Sequence, residues 1–149
     1  MRTLILTLAF GVSGCGLFQS HEDDLREAIV ETALDQVGED YLFGGSDPDD
    51  GFDCSGLVYY SYGEAGIVLP RSSAELRKAG RVVPLHLALP GDLLFYDFGA
   101  NKRSALHVVI YLGDGEAVHA PASDGEVEVI RIDDRFWRGR FLAAARLLP

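Results

Sequence analysis

The sequence predicts an α+β fold in a single domain, on three observations. Helical signals are confined to the first half, where apolar residues recur at helical spacing in 21–38 and again after Asp53. From Asp92 onward, short apolar runs separated by tight-turn residues read as an antiparallel meander, and helices followed by such a meander argue for α+β. Of 149 residues, 135 remain once an N-terminal export signal is set aside, enough for one full core with little room for a second.

Residues 1–14 carry that signal: Arg2 as a minimal basic segment, Leu4 to Val12 as an apolar stretch, and Ser13-Gly14 as small residues before Cys15. The apolar stretch falls short of the ~20 residues a spanning helix needs. Val12-Ser13-Gly14-Cys15 resembles a bacterial lipobox, which would make Cys15 the acylated N-terminus and 15–20 a lipidated tether; the alternative is an ordinary cleaved signal leaving Cys15 a free thiol. Gly16 rather than Asp after the lipid cysteine points to outer-membrane sorting, facing the periplasm, if the host is Gram-negative. The expectation is an exported protein, lipid-anchored to the cell envelope. The formal charge of −10 makes the chain a poor nucleic-acid binder and a poor electrostatic partner for anionic lipid, so membrane attachment rests on the lipid alone.

The first helix is expected over 21–38, with Glu22, Asp23 and Asp24 in its opening turn, Leu25, Ala28, Ile29, Ala33 and Val37 on its apolar face, and Gly38 at its end. Residues 46–51 have the composition of a turn. Their three aspartates do not make an EF-hand loop, since the twelfth position counted from Asp47 is Val58 and not Glu, so no metal is assigned. A second helix follows Asp53 and a short one covers Ser72 to Ala79. Strands are expected at Asp92–Phe98, Leu106–Leu112, Glu116–His119 and Glu126–Ile132, and Phe141–Leu148 reads as a strand in preference to a helix.

Gly51-Phe-Asp-Cys-Ser-Gly-Leu-Val58 is a tight loop running into a helix, with Cys54 in the first turn. Unpaired amides and the positive end of the helix dipole both favour thiolate there, and the thiolate is the nucleophile. With Cys15 lipidated, Cys54 has no disulfide partner in the chain, as befits a reactive thiol in an exported protein. Such a thiol needs an imidazole. His21 and His86 have no motif around them, whereas His107 opens the strand Val108-Val109-Ile110-Tyr111 and His119 lies on the next. Pairing outward from Asp114 sets residue i opposite 228 − i, which puts His119 opposite Val109 and lets the two histidines meet diagonally on one face. Cys54 is then the nucleophile, His107 the base paired with it, and His119 the group that orients His107. A three-residue turn, Gly113-Asp114-Gly115, is expected between the strands.

Six ordered blocks carry a resemblance: Tyr41-Leu-Phe-Gly-Gly45, Gly51 to Val58, Leu69-Pro-Arg-Ser-Ser73, Pro90-Gly-Asp-Leu-Leu-Phe-Tyr96, His107 to Gly113, and Val118-His-Ala-Pro121. Together they resemble the NlpC/P60 family of cell-wall cysteine peptidases, from about Tyr41 to the C-terminus. The resemblance implies a papain-like fold with N-terminal helices on a small antiparallel sheet, over 21–149. It also implies hydrolysis of a peptidoglycan stem peptide, typically between D-γ-glutamate and diaminopimelate or lysine, by a monomer without a cofactor. It matches Cys54, His107 and His119 to the catalytic groups and Tyr41 to a tyrosine whose hydroxyl helps hold the oxyanion. Asp53 and Ser55 match residues that recognise a free L-alanine amine, and Arg71 matches an arginine near the cleft. Three departures accompany it: a Gly45-to-Cys54 connection about one residue longer than usual, Val108-Val109 in place of Val-Gly, and Leu76 in place of a frequent glutamine. Two further readings stay open, an N-acetylmuramoyl-L-alanine amidase or other amide or thioester hydrolase on the same triad, and a non-catalytic wall-binding scaffold.

Overall fold

The computed structural model describes residues 15–99, 105–121 and 125–148, with side chains from Ser20 onward. The signal segment 1–14 and the Cys15 side chain therefore lie outside the described residues. The elements in order are α1 (Cys15–Asp35), β1 (Ser46–Asp47), β2 (Gly51–Phe52), α2 (Cys54–Glu64), α3 (Ser73–Ala79) and β3 (Arg81–Val83). A 3-10 turn at Leu85–Leu87 follows, then β4 (Leu93–Asp97), β5 (Leu106–Gly113), β6 (Glu116–His119), β7 (Glu128–Arg131), α4 (Arg135–Arg138) and β8 (Phe141–Arg146).

Six strands form one antiparallel sheet in the order β3-β8-β4-β5-β6-β7, and β1 and β2 make a separate hairpin. The α+β expectation holds. So do the four meander strands and the strand assignment at Phe141, with ends shifted by at most two residues, as chain ends fray. Helix α1 begins at Cys15, six residues before the expected start and inside the stretch expected as a tether, and it stops at Asp35. Val37 falls beyond it and is exposed, while Ile29 and Ala33 are fully buried.

Alternation along the strands divides the interior in two. On one face Leu93, Phe95, Val108, Ile110, Val118 and Ala145 pack against Ile29 and Ala33 of α1 and Leu57, Val58 and Tyr62 of α2. On the other, Leu94, Tyr96, Val109, Ala117 and Ala144 pack around Trp137 of α4. Leu76, one of the departures noted above, is fully buried with the first group.

A buried ion cluster ties α1 to the sheet. Asp92, fully buried, accepts from Arg26 Nη1 at 3.0 Å, from Arg146 Nε at 3.0 Å and from Arg146 Nη2 at 2.8 Å. Burial pushes the Asp92 carboxyl up, but the hydrogen bonds from Arg146, Leu89 and Arg26 outweigh it and leave the group below its ordinary value. The Asp in the Pro90-Gly-Asp block is thus a structural clamp.

The β5–β6 connection differs from expectation in an instructive way. Asp114 and Gly115 both take positive φ, 49° and 79°, so the turn has two residues and Gly113 pairs with Glu116. An irregularity between Tyr111 and Gly113 absorbs one residue on β5, and beyond it Tyr111 faces Ala117 and Ile110 faces Val118. The bulge offsets the shorter turn. The expected register in the strand interior is therefore the observed one.

Candidate active site

Helix α2 starts where its sequence says it should. Asp53 is the N-cap, its Oδ1 accepting from the Gly56 amide at 2.7 Å, and Cys54 follows in the first turn. The loop before it is held close: a Cβ on Gly56 would lie 1.9 Å from the Gly45 carbonyl oxygen, and one on Gly45 would lie 2.3 Å from the Gly51 oxygen. Only hydrogen at both positions permits this approach.

Arg71 fastens the same loop. Its Nη1 donates to Asp53 Oδ1 at 2.9 Å and to Ser55 Oγ at 2.9 Å, and its Nη2 donates to Asp53 Oδ2 at 3.0 Å and to the Gly45 carbonyl at 2.8 Å. Asp53 Oδ2 also accepts from the Gly44 amide at 2.9 Å. The three residues matched to substrate recognition therefore form one paired network beside Cys54, and all three line the same cavity.

That cavity, about 570 Å³, is bordered by Tyr41, Cys54, Ser73 and His107 as well. Cys54 is 8% exposed, and its sulfur lies 3.6 Å from the Ser73 hydroxyl at the start of α3. Burial pushes the thiol up from its ordinary value, opposed by the Val108 amide, the Ser73 hydroxyl and the Ser55 amide. The Val108 contact carries Cys54 to the residue next to His107. Sulfur and imidazole, from two elements far apart in sequence, meet at one opening.

His107 and His119 lie on the Trp137 face of the sheet. His107 Nε2 is 2.8 Å from His119 Nδ1, and His119 Nε2 is 3.3 Å from Glu128 Oε1. Phe98 stacks on the His107 ring with centroids 4.6 Å apart, and Trp137 packs edge-on against His119 at 5.1 Å. His107 is 1% exposed, and its Nδ1 is the buried side-chain nitrogen without a hydrogen-bond partner among the described residues. Burial, with His119 adding to it, holds His107 well below the ordinary histidine value. Burial also lowers His119, against the raising influence of Glu128.

The thiolate favoured by the helix start is opposed by burial, which raises the thiol and lowers the imidazole, each away from its charged form. Val109, which stands where glycine is usual, packs with Trp137 in the second core group. Sequence reasoning missed Ser73, Phe98, Trp137 and Glu128 as neighbours of the site. Of these, Glu128 had a usable signal, since β6–β7 pairing sets it directly opposite His119. His21 and His86 are exposed, as expected for residues without a role. Among the described residues no group of three or more His, Cys, Asp or Glu is arranged to hold a metal ion, and no helix is long and apolar enough to cross a membrane.

Comparison with known proteins gives a consistent picture. The sequence pattern of the NlpC/P60 family matches residues 38–146. The chain is 35% identical over 135 residues to the probable endopeptidase YafL of Escherichia coli, covering 89% of this chain and 54% of that protein. It is 32% identical over 127 residues to a gamma-D-glutamyl-L-lysine dipeptidyl-peptidase of Bacillus subtilis, covering 85% of this chain and 43% of that one. It thus spans about half the length of these relatives. Among solved structures it resembles an NLP/P60-family protein of Staphylococcus aureus described as similar to lipoprotein, with TM-score 0.75, 33% identity, and coverage of 85% of this chain and 42% of that one. It also resembles RipD of Mycobacterium tuberculosis, described as a non-catalytic NlpC/p60 domain protein adapted to peptidoglycan binding, with TM-score 0.68, 29% identity, and coverage of 83% and 98%.

Proposed function

We propose that this chain, which belongs to the NlpC/P60 family, is a peptidoglycan endopeptidase that hydrolyses stem-peptide amide bonds through Cys54, His107 and His119. The single observation that carries the reading is the placement of the Cys54 thiol and His107 on one cavity, with His107 Nδ1 lacking a hydrogen-bond partner among the described residues. A carbonyl bound there meets the sulfur. His107 takes the thiol proton on Nδ1 as the sulfur attacks the carbonyl carbon, and the imidazolium returns that proton to the departing amine. The thioester left on Cys54 is cleaved by a water that His107 deprotonates. The Cys54 amide and the Tyr41 hydroxyl hold the oxyanion, each such donor being worth about 2.7–4 kcal/mol.

The bond proposed is that between D-γ-glutamate and diaminopimelate or lysine. The resemblance to a peptidase named for a gamma-D-glutamyl-L-lysine linkage supports it. Asp53 and Ser55 are the groups proposed to receive a substrate amine, with Arg71 holding both in place. The protein is proposed to be exported and tethered through lipid on Cys15, acting as a monomer.

Mass spectrometry of muropeptides after incubation with the purified protein tests the bond. New fragments with a free diaminopimelate or lysine amine support the endopeptidase, and fragments ending in a free L-alanine amine after loss of the sugar indicate the amidase. A second reading, a non-catalytic wall-binding domain, draws on the likeness to RipD and on the burial of the thiol, which works against its ionisation. Retention of intact peptidoglycan on the immobilised protein with an unchanged muropeptide profile would favour it.

A further inference from the structure

The hydrogen-bond chain that leaves the base ready begins at a residue outside the triad. Glu128 stands opposite His119 across β6–β7, with its Oε1 3.3 Å from His119 Nε2. An ionised carboxylate only accepts, so His119 Nε2 carries the proton in that contact. Neutral His119 then has a lone pair on Nδ1, and the 2.8 Å contact there requires His107 to donate through Nε2–H. That leaves the His107 lone pair on Nδ1, the buried nitrogen that has no hydrogen-bond partner among the described residues. One carboxylate thus decides, two rings away, which nitrogen is the base.

We infer that Glu128 is a positioning residue for the reaction proposed above, fixing the tautomers of His119 and His107 in series so that His107 Nδ1 presents its lone pair to the Cys54 thiol. The inference rests on the reading of Cys54 and His107 as nucleophile and base. Glu128 also opposes the burial of the pair. Its side chain is 60% exposed while that of His119 is 4% exposed, so one end of the chain stays in water and the other in the protein interior. When His107 holds the thiol proton, the new positive charge has a carboxylate at the far end of the same hydrogen-bonded line. Among the described residues, the titratable groups facing the pair are Cys54 from α2, on the same cavity as His107, and Glu128 from β7. Helix α4 packs Trp137 against the rings with the exposed Arg135 and Arg138 on either side, and Phe98 completes the aromatic wall.

Two substitutions in the full chain separate the acceptor from the charge. Glu128→Gln keeps an oxygen that can accept from Nε2–H but carries no charge, and Glu128→Ala removes both. Cys54 alkylation by iodoacetamide from pH 5 to 9 reads the base directly, without peptidoglycan. Fluorescence of Trp137, the single tryptophan, reads protonation of the adjacent rings. Expected is alkylation about fivefold slower at pH 7.5 for Glu128→Ala, consistent with loss of a partly exposed hydrogen bond. Glu128→Gln should stay within about twofold of the parent, the size of change expected when the acceptor is kept. In both variants the acid-side fluorescence midpoint should move to lower pH, because a carboxylate that favours the imidazolium is gone. Alkylation rates and midpoints identical to the parent in both variants would overturn the inference, and so would equal slowing in both. The proposed activity is scored separately: a parent protein that cleaves stem peptides while both variants behave like it refutes the Glu128 role alone. A parent that cleaves nothing while the midpoints shift as stated refutes the activity and leaves the hydrogen-bond chain standing.

Discussion

His119 Nδ1 lies 2.8 Å from His107 Nε2, and the His119 ring stands perpendicular to its partner with an interplanar angle of 89°. The contact holds the first ring from one side, and Phe98 stacked at 4.6 Å holds it from the other. An imidazole so fixed has one free edge.

Removing the orienting ring therefore separates geometry from chemistry. His119→Ala should lower kcat on a stem peptide by about 10²-fold, within the range expected for a misaligned acid–base group. His119→Asn, whose amide oxygen can accept from His107 Nε2–H, should recover about a tenth of the parental rate or more. Steady-state kinetics of the two variants at pH 7.5 check this. Equal loss in both would mean that His119 acts by more than accepting one hydrogen bond.

The burial of His107 sets the acid side of the activity profile. A base held well below the ordinary value keeps its lone pair further into acid than an unperturbed histidine near 6.5 would. The acid limb of kcat/KM, measured from pH 4.5 to 8, should have its midpoint below the 6.5 or so of an unperturbed histidine, and a midpoint at or above 6.5 would contradict this. The same burial has a thermodynamic consequence whose sign is fixed. The unfolded chain takes up a proton near pH 6.5 that the folded one refuses, so stability falls as pH drops below 6.5 and continues to fall until the depressed folded value is reached. Thermal unfolding at pH 7.5 and 5.5 should show a smaller difference for His107→Asn than for the parent.

The clamp beneath α1 makes a prediction about stability with no catalytic component. Asp92→Ala leaves Arg26 and Arg146, whose side chains are 6% and 14% exposed, without their shared carboxylate. Breaking a buried pair by removing one partner costs about 3–5 kcal/mol. Urea titration should show a loss of that size with an unchanged m-value. A loss below about 1 kcal/mol would put this cluster in the class of surface pairs.

The close approach of Gly56 to Gly45 is tested by one methyl group. Gly56→Ala places a Cβ 1.9 Å from a backbone oxygen and 2.9 Å from Arg71 Nη2, and backbone cannot yield as a flexible side chain does. The expected outcome is a loss of at least about 3 kcal/mol, or a displaced loop, with reduced Cys54 alkylation even where the fold survives.

What could be read from the chain itself follows the reach of each physical signal. The N-cap at Asp53, the helix after it and the alternation in β4 to β6 are local, and each was legible. The pairing of the two histidines was legible too, although the turn was wrong, because the irregularity near Leu112 cancelled the missing turn residue. β1, β2 and β3, of two or three residues, and the single turn α4 have too little periodicity to be seen and exist by tertiary contact. Trp137 and Phe98 reach the histidines through the third dimension alone. The burial that opposes ionisation of Cys54 was hidden for the same reason: the helix dipole is written in the sequence, whereas desolvation depends on everything packed around the sulfur.

The most direct test compares the parent protein with Cys54→Ala and His107→Ala on one purified stem peptide, following amine release by mass spectrometry with folding verified by circular dichroism. Loss of about 10³-fold or more in both variants is expected, since nucleophile and base act as a unit. A folded Cys54→Ala or His107→Ala protein that releases amine at the parental rate would contradict the assignment of this site.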